Sequence, residues 1–229
     1  MGKKKKLERF EEMKGFSNVI EPLSKEVLNS DHFLKGKWSS DFFKNDKPIV
    51  LELGCGKGEY TIYFSQKHSE KNFIAVDIKG ARMWNGAKTA LQHNLKNAAF
   101  LRTRVDFITS FFDKDEIDEI WLPFPDPQLK RNRIRKRLTG PLFTERYKQF
   151  LKPGGKIHLK TDNDILYQYT LEQIQEHDLK LFVHIPDVHN HTFKESPELK
   201  EKVCKIKTYY EEKALEIGKS IKYLQFGVH

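Results

Sequence analysis

The chain has 229 residues, of which 38% are hydrophobic and 32% charged, a composition that indicates a globular protein with a polar surface. No apolar run approaches the roughly 20 residues that a membrane span requires, so we expect no contact with a membrane. Cys55 and Cys204 lie far apart and form no CxxC pair, which argues against a disulfide framework or a zinc knuckle. This cysteine usage favours a reducing, cytoplasmic compartment.

The positive charge is concentrated in two short segments. The net charge is +9, whereas residues 3–6 and 130–137 together carry ten positive charges, so the rest of the chain is nearly neutral. Two such clusters favour contact with a nucleic acid. A lysine run near a terminus is also often only solvated, so residues 3–6 are equally consistent with a phosphate-attracting arm and with a solvated segment.

The remaining pattern predicts one domain with an N-terminal extension. Residues 1–45 lack a clear period and are interpreted as a basic, partly ordered extension, and residues 46–229 as the domain. Short apolar runs predict strands at 49–53, 72–77, 119–122, 156–161, 181–185 and 220–226. Helices are predicted between them at 59–68, 81–95, 141–151, 163–176 and 208–216. This alternation predicts a mostly parallel sheet with helices on both faces.

A glycine-rich turn, "LELGCGKGEY", follows the first of these strands and opens a helix, which is the context of a nucleotide-binding loop. Its glycines are Gly54, Gly56 and Gly58. The dinucleotide fingerprint requires the third glycine one position later, where this chain has Glu59, so the spacing argues against NAD. The Glu-x-Gly-x-Gly-x-Gly pattern that begins at Glu52 is instead typical of S-adenosylmethionine (SAM) methyltransferases.

Two carboxylates strengthen the prediction of SAM as the cofactor. Asp77 ends the second predicted strand, 23 residues after Gly54, where a carboxylate accepts hydrogen bonds from both ribose hydroxyls. Glu52 is suited to the positive sulfonium and ammonium groups of SAM. We therefore predict a Rossmann-like, class I SAM-dependent methyltransferase fold. Enzymes of this type usually have an acid or amide near the adenine, after the third strand of their fold. The corresponding stretch here is "FLRTRVDFI", residues 100–108, in which Asp106 is the nearest carboxylate, and the assignment stays open.

The segment "PFPDPQLKRNRIRKRL" bears on the methyl acceptor. Neither cysteine follows a proline, which argues against cytosine C5, and "PDPQ" lacks the pattern of adenine N6 enzymes. Guanine N7 already has a lone pair, so its methylation needs alignment and charge stabilisation rather than a general base. Asp126 could accept hydrogen bonds from guanine N1–H and the exocyclic amine, although an isolated Asp-Pro is more often a structural turn.

Three motifs in order make the chain resemble bacterial tRNA (guanine-N7)-methyltransferases. They are Asp-Pro-x-x-Lys at 126–130 with the basic cluster after it, Thr-Asp-Asn at 161–163, and Thr-x-Tyr-Glu-x-Lys at 208–213. The resemblance extends from "VLELGCGKGEY" nearly to the carboxyl end. It departs at Gln128 and Leu129, where the family often has Trp-Pro.

The resemblance implies methyl transfer from SAM to N7 of a guanine in tRNA, in the variable loop, giving 7-methylguanosine. Asp126 would be the catalytic carboxylate, placed between SAM and the base, and the other SAM-binding residues would be Glu52, Gly54, Gly56, Gly58 and Asp77. Substrate contacts are implied for Lys130, Asp162, Thr208 and Glu211. Contacts with the RNA are implied for Asn132, Arg133, Arg135, Lys136 and Arg137. The sequence alone predicts only a helix start at Thr208, with its hydroxyl as the cap.

Two alternatives stay open: methylation of another RNA atom, such as a ribose 2′-O, and an inactive RNA-binding protein of the same fold. Intact Glu52, Asp77 and Asp126 argue against the second. His189 and His191 form a His-x-His pair without a supporting cysteine or carboxylate cluster, so we expect no metal site. The expected partner is tRNA, bound by a monomer or homodimer that requires no other protein.

Overall fold

The computed structural model describes residues 3–28, 30–194 and 196–228. The chain divides into two compact units, Met1–Asp118 and Glu119–His229. Strands alternate with helices along most of the chain, and the strand pairs of the first unit are parallel, as predicted. None of the described helices combines the length and the apolar character that crossing a membrane would require.

Four parallel strands form the sheet of the first unit, in the order β1-β4-β3-β2. They are β1 (Val19–Ile20), β2 (Ile49–Leu53), β3 (Asn72–Val76) and β4 (Ala98–Leu101). The helices are α1 (Lys3–Met13), α2 (Ser24–Val27), α3 (Glu59–Lys67) and α4 (Gly80–Gln92). Every residue of β2, β3 and β4 is buried, which explains why these strands are near-continuous apolar runs.

The N-terminal segment is packed into the first unit, which differs from the predicted extension and its boundary at residue 45. The lysine run begins helix α1, and α1 packs on α4, where Glu12 accepts hydrogen bonds from Trp84 Nε1 (2.8 Å) and Lys88 Nζ (2.7 Å). Met13 and Trp38 are buried in the core. This packing was not predictable from the sequence, because α1 is strongly charged and β1 has only two residues.

The second unit contains β5 (Ile117–Pro123) from Glu119 onward, together with β6 (Leu151–Thr161), β7 (Lys180–Ile185) and β8 (Lys222–Gly227). Strand β8 lies between β6 and β7 and is antiparallel to both. The helices are α5 (Pro141–Tyr147), α6 (Asp164–Glu176), α7 (Pro197–Cys204) and α8 (Tyr209–Glu216). Six of these elements follow the predicted pattern, but α5 ends before Leu151, where β6 begins, and α7 was not predicted.

Candidate functional site

The glycine loop after β2 contains two kinds of glycine. Gly54, Gly56 and Gly58 all have left-handed backbones, with φ values of 77°, 58° and 75°, which glycine adopts without a steric penalty. A Cβ atom at Gly54 or Gly56 would meet no atom within 4 Å, so their backbone faces open space. A Cβ at Gly58 would lie 2.9 Å from the ring of Phe100. Gly54 and Gly56 therefore suit a ligand, whereas Gly58 permits close packing.

A further glycine, Gly86 on α4, completes this packing and was not singled out from the sequence. A Cβ there would lie 2.5 Å from the carbonyl oxygen of Lys57 and 2.9 Å from Phe100. The helix can approach the glycine loop this closely only because the side chain is absent. A glycine inside an otherwise helical pattern was the available signal.

Asp77 lies immediately after β3 and is held by two backbone groups. Its Oδ2 accepts a hydrogen bond from the N–H of Gly56 (2.9 Å), and its Oδ1 accepts one from the N–H of Lys79 (2.8 Å). A carboxylate offers about four lone-pair sites, so these two bonds leave capacity for the hydroxyls of a ribose. The carboxylate is thereby fixed beside the glycine loop, as the sequence pattern requires for a nucleoside site.

Glu52 is buried at the end of β2, with 4% of its surface exposed. Its Oε2 accepts hydrogen bonds from the backbone N–H (2.9 Å) and the hydroxyl (2.6 Å) of Thr61, in the first turn of α3. Burial raises the pKa of Glu52 to about 8 from an ordinary value of 4.5, and the bonds from Thr61 oppose this shift. A cationic ligand nearby would favour the ionised carboxylate.

The residues of this loop therefore fit SAM. Gly54 and Gly56 leave room for close backbone approach, and Asp77 presents acceptors of the kind that ribose hydroxyls need. Glu52 offers a carboxylate whose ionisation a sulfonium or an ammonium group would stabilise.

Asp126 is exposed in a strained loop, residues 124–128, that follows β5. Phe124 and Gln128 have left-handed backbones with φ values of 51° and 47°, which side-chain-bearing residues rarely adopt. Asp126 Oδ1 accepts a hydrogen bond from the N–H of Gln128 (2.9 Å), the geometry of an Asx turn. The structural-turn interpretation is thus correct for one oxygen, and the carboxylate keeps acceptor capacity for a ligand.

The basic run continues into a short 3₁₀ helix, Arg131–Lys136. Every residue from 130 to 136 except Ile134 has an exposed, polar side chain: Lys130, Arg131, Asn132, Arg133, Arg135 and Lys136. These side chains are accessible to a polynucleotide. Their exposure agrees with the RNA contacts that the resemblance implies for this segment.

Arg137 departs from the implied RNA-binding set, because only 4% of its surface is exposed. Its Nε donates a hydrogen bond to the carbonyl of Pro127 (2.9 Å), and its guanidinium lies 4.3 Å from the ring centroid of Tyr169. The side chain therefore anchors the Asp126 loop. A basic run does not reveal which of its members points inward, so the sequence pattern places Arg137 with its exposed neighbours.

Glu211 also departs from its implied role of contacting the substrate, because its side chain is fully buried. Lys160 Nζ donates to Glu211 Oε2 (2.6 Å), and His189 Nε2 lies 3.0 Å from Glu211 Oε1. Burial lowers the pKa of Lys160, and the charge of Glu211 opposes that shift. We assign Glu211 to a buried ion pair. Lys160 was missed because a lysine within a strand pattern is usually read as solvent-facing.

The other implied substrate residues have local partners. The hydroxyl of Thr208 accepts a hydrogen bond from the N–H of Glu211 (3.2 Å), which confirms the predicted helix cap. Asp162 is partly exposed, and its Oδ2 accepts a hydrogen bond from Lys219 Nζ (2.7 Å). Lys130 is exposed.

The two histidines of the His-x-His pair have different partners. His189 contacts Glu211, whereas the ring of His191 packs edge-on against Phe193 at 4.7 Å between centroids. Within residues 3–28, 30–194 and 196–228, no group of three or more His, Cys, Asp or Glu side chains could hold a metal ion.

Solved structures with a similar fold include KamB, a 16S rRNA methyltransferase, with a TM-score of 0.60 and 12% identity over 82% of this chain and 91% of that one. A SAM-dependent methyltransferase from Aquifex aeolicus has a TM-score of 0.53 and 13% identity, over 91% and 100% of the two chains. At this identity the likeness shows the fold alone, which is the predicted class I methyltransferase fold.

Sequence relatives are more informative. Residues 46–224 match the family described as "Putative methyltransferase". The tRNA (guanine-N(7)-)-methyltransferase of Christiangramia forsetii is 48% identical over 228 residues, which cover 100% of both chains. The protein of the same name from Clostridium acetobutylicum is 36% identical over 190 residues, covering 83% of this chain and 85% of its own. The chain therefore belongs to the family of tRNA (guanine-N7)-methyltransferases.

Proposed function

We propose that this protein transfers the methyl group of SAM to N7 of a guanine in tRNA and so forms 7-methylguanosine. The observation that carries the proposal is 48% identity, over the entire chain, to a relative that bears this activity in its name. The variable loop of tRNA, as implied by the family resemblance, is the proposed location of the guanine. The cytoplasmic location, and action as a monomer or homodimer, stay predictions.

We assign the cofactor to the first unit. Asp77 would accept hydrogen bonds from the ribose, and the open backbone at Gly54 and Gly56 would lie against the ligand. Glu52 would become ionised beside the positive groups of SAM. The bound cofactor supplies an electrophilic methyl group on a sulfonium. The role of Gly58 is to keep the loop in place by packing against Phe100.

We assign recognition of the base to Asp126. Guanine N7 attacks with its own lone pair, and the purine then gains positive charge. A carboxylate that accepts hydrogen bonds from N1–H and the exocyclic amine would orient the ring and stabilise that charge. The strained loop around Asp126 supports this assignment, because strained backbone often accompanies functional sites.

We assign the polynucleotide to the exposed basic segment. Arginine binds phosphate with two parallel hydrogen bonds and stacks on bases, so Arg133 and Arg135 suit a folded RNA. Lys136 and Asn132 would add contacts with the backbone, and Lys130 and Asp162 stay candidates for contact with the target nucleotide. Arg137, Thr208 and Glu211 are removed from the proposed contact set because all three are buried.

The test is methylation of an unmodified tRNA transcript with SAM labelled on its methyl group, followed by borohydride and aniline, which cleave at 7-methylguanosine. We expect label in the RNA and cleavage at one guanine. A transcript made with 7-deazaguanosine, which lacks N7, should incorporate no label. Label without cleavage would favour the ribose 2′-O alternative, and tRNA binding without label would favour the inactive RNA-binding protein.

A further inference from the structure

A cavity of about 600 Å³ lies in the first unit where β3 and β4 end. Its lining includes Glu21, Leu23, Ile78, Arg102 and Thr103. Two of these residues, Glu21 and Leu23, belong to the N-terminal segment, which precedes the part of the chain matched by the family model, residues 46–224. The segment therefore contributes walls to a cavity whose other walls come from the methyltransferase sheet.

The sheet register places Glu21 beside Arg102. Strand β1 runs parallel to β4, with Val19 opposite Phe100 and Ile20 opposite Leu101. The N–H of Arg102 donates to the carbonyl of Ile20 (2.9 Å), which continues the pairing by one residue. Arg102 Nη1 then donates to Glu21 Oε1 at 3.1 Å, and both side chains are partly buried.

The cavity lies next to Asp77, because the following residue is one of its walls. Ile78, the next residue, lines it, and the N–H of Asp77 approaches the carbonyl of Leu101 (3.4 Å), immediately before Arg102. A nucleoside whose ribose is held by Asp77 would therefore direct its base toward these walls. This step rests on the proposed function, in which Asp77 binds the ribose of SAM.

The lining matches the chemistry of adenine. Ile78 and Leu23 are apolar yet 49% and 55% exposed, so a flat ring placed against them would remove apolar surface from water. The exocyclic amine of adenine is a hydrogen-bond donor and needs an acceptor. Arg102, the residue that follows β4, has only donors in its side chain and cannot accept this hydrogen bond. Glu21 has two oxygens, and Arg102 occupies one of them.

We propose that Glu21 accepts a hydrogen bond from the 6-amino group of the adenine of SAM, so that the N-terminal segment completes the cofactor site. Arg102 positions the Glu21 carboxylate. Glu21 thus takes the place of the acid expected near the adenine, for which Asp106 is the nearest carboxylate in the sequence after β4. Asp106 is instead paired with Arg104, at 3.1 Å.

The test compares two ligands by calorimetry: S-adenosylhomocysteine and its analogue in which purine, without the 6-amino group, replaces adenine. A hydrogen bond to a charged acceptor predicts that the wild type prefers the amino form by about 10-fold or more. Glu21→Ala should lose most of this preference by weakening S-adenosylhomocysteine binding, while its affinity for the analogue changes by less than about threefold.

The matched control is Glu11→Ala, which removes an exposed carboxylate on α1 that is paired with Lys14 at 2.8 Å. It should keep the wild-type preference. If Glu21→Ala fails to fold, Glu21→Gln, which preserves the shape of the side chain, provides the test. It should at least halve the preference for S-adenosylhomocysteine over the analogue. An unchanged preference in a folded Glu21 variant would overturn the inference. Failure of the wild type to bind S-adenosylhomocysteine would instead refute the proposed function itself.

Discussion

Two loops of this protein, each following a strand, contain residues with left-handed backbone, but they use different residue types at those positions. The loop after β2 places glycine at each such position, Gly54, Gly56 and Gly58. The Asp126 loop after β5 uses Phe124 and Gln128, for which the conformation costs about 1–2 kcal/mol per residue. The first loop therefore forms from local preference, whereas the second persists only because surrounding contacts determine it.

Those surrounding contacts come from residues outside the loop, both near and distant along the chain. The N–H of Phe124 donates to the carbonyl of Lys160 (2.7 Å), and Arg137 holds the carbonyl of Pro127. The side chain of Lys160 is in turn held by Glu211. The comparison teaches that the first loop suits a ligand bound by backbone, whereas the second presents a side chain, Asp126, in a set position.

The largest effect should come from breaking the buried pair behind the Asp126 loop. Glu211→Gln leaves Lys160 buried without its counter-charge, which should lower the free energy of unfolding by about 3–5 kcal/mol. Denaturant unfolding measures the loss. Glu212→Gln, which removes an exposed carboxylate one residue away, should change stability by less than about 0.5 kcal/mol. Equal effects of the two variants would contradict the assignment of Glu211 to structure.

The next prediction distinguishes two roles of Asp126: its negative charge and its hydrogen bond within the turn. Asp126→Asn keeps an oxygen that can accept from Gln128 N–H but removes the negative charge, whereas Asp126→Ala removes both. We expect both variants to lose on the order of 10²–10³-fold in kcat. Binding of S-adenosylhomocysteine should change little, as measured by calorimetry. Wild-type turnover in Asp126→Asn would mean that only the turn matters.

Substitutions in the glycine loop test the distinction between its two kinds of glycine. Gly58→Ala combines left-handed strain with a clash against Phe100 and should cost about 2–4 kcal/mol of stability. Gly54→Ala meets open space, so we expect a cost of about 1–2 kcal/mol and a clear loss of affinity for S-adenosylhomocysteine. Thermal unfolding and calorimetry on both variants give the comparison. The reverse ranking of stability would show that the packing argument is wrong.

The salt concentration should affect binding of tRNA by the basic segment much more than binding of the cofactor by the glycine loop. Replacing Arg133, Arg135 and Lys136 with Gln should weaken tRNA binding by roughly 10- to 100-fold and reduce the slope of log affinity against log salt by about 2–3. Binding of S-adenosylhomocysteine should be unaffected. The control replaces three exposed lysines of the first unit, Lys44, Lys96 and Lys114. A salt slope that falls equally in both triple variants would mean that the basic segment is only a solvated surface.

The smallest effect concerns the pH dependence of stability at Glu52. Its folded pKa of about 8 lies above the ordinary 4.5, so its contribution to stability is complete below pH 4.5 and is lost as the pH rises through 8. Between pH 6 and pH 8 the wild type should lose about 2 kcal/mol more than Glu52→Gln, measured by denaturant unfolding at each pH. Parallel pH profiles of the two proteins would indicate that Glu52 is ionised throughout.

Much of the fold was predictable because the signals are local. Strand β2 was predicted at its observed bounds, and β3 to within one residue, because strands buried on both faces are continuous apolar runs. The helix from Glu59 onward was marked by the glycine turn before it. Helix α1 was missed because it is stabilised by packing on α4, and its own sequence is mostly charged.

The candidate site was predictable where one short segment carries the chemistry. The glycine loop and Asp77 form a local pattern, and their hydrogen bond at 2.9 Å agrees with it. The roles of Arg137 and Glu211 were not predictable, because burial depends on what packs over a side chain. The motif indicated that these residues matter without indicating whether they face a ligand or the core.

By itself, the sequence determined the alternation of strands and helices, the glycine loop, and the family to which the chain belongs, because each depends on neighbours along the chain. Tertiary structure decided which charges are buried and which elements meet. Lys160 and Glu211 are 51 residues apart, and Glu21 and Arg102 are 81 apart, yet each pair is in direct contact. Such contacts arise only when the hydrophobic core brings distant elements of the chain together, and no local pattern of residues encodes them.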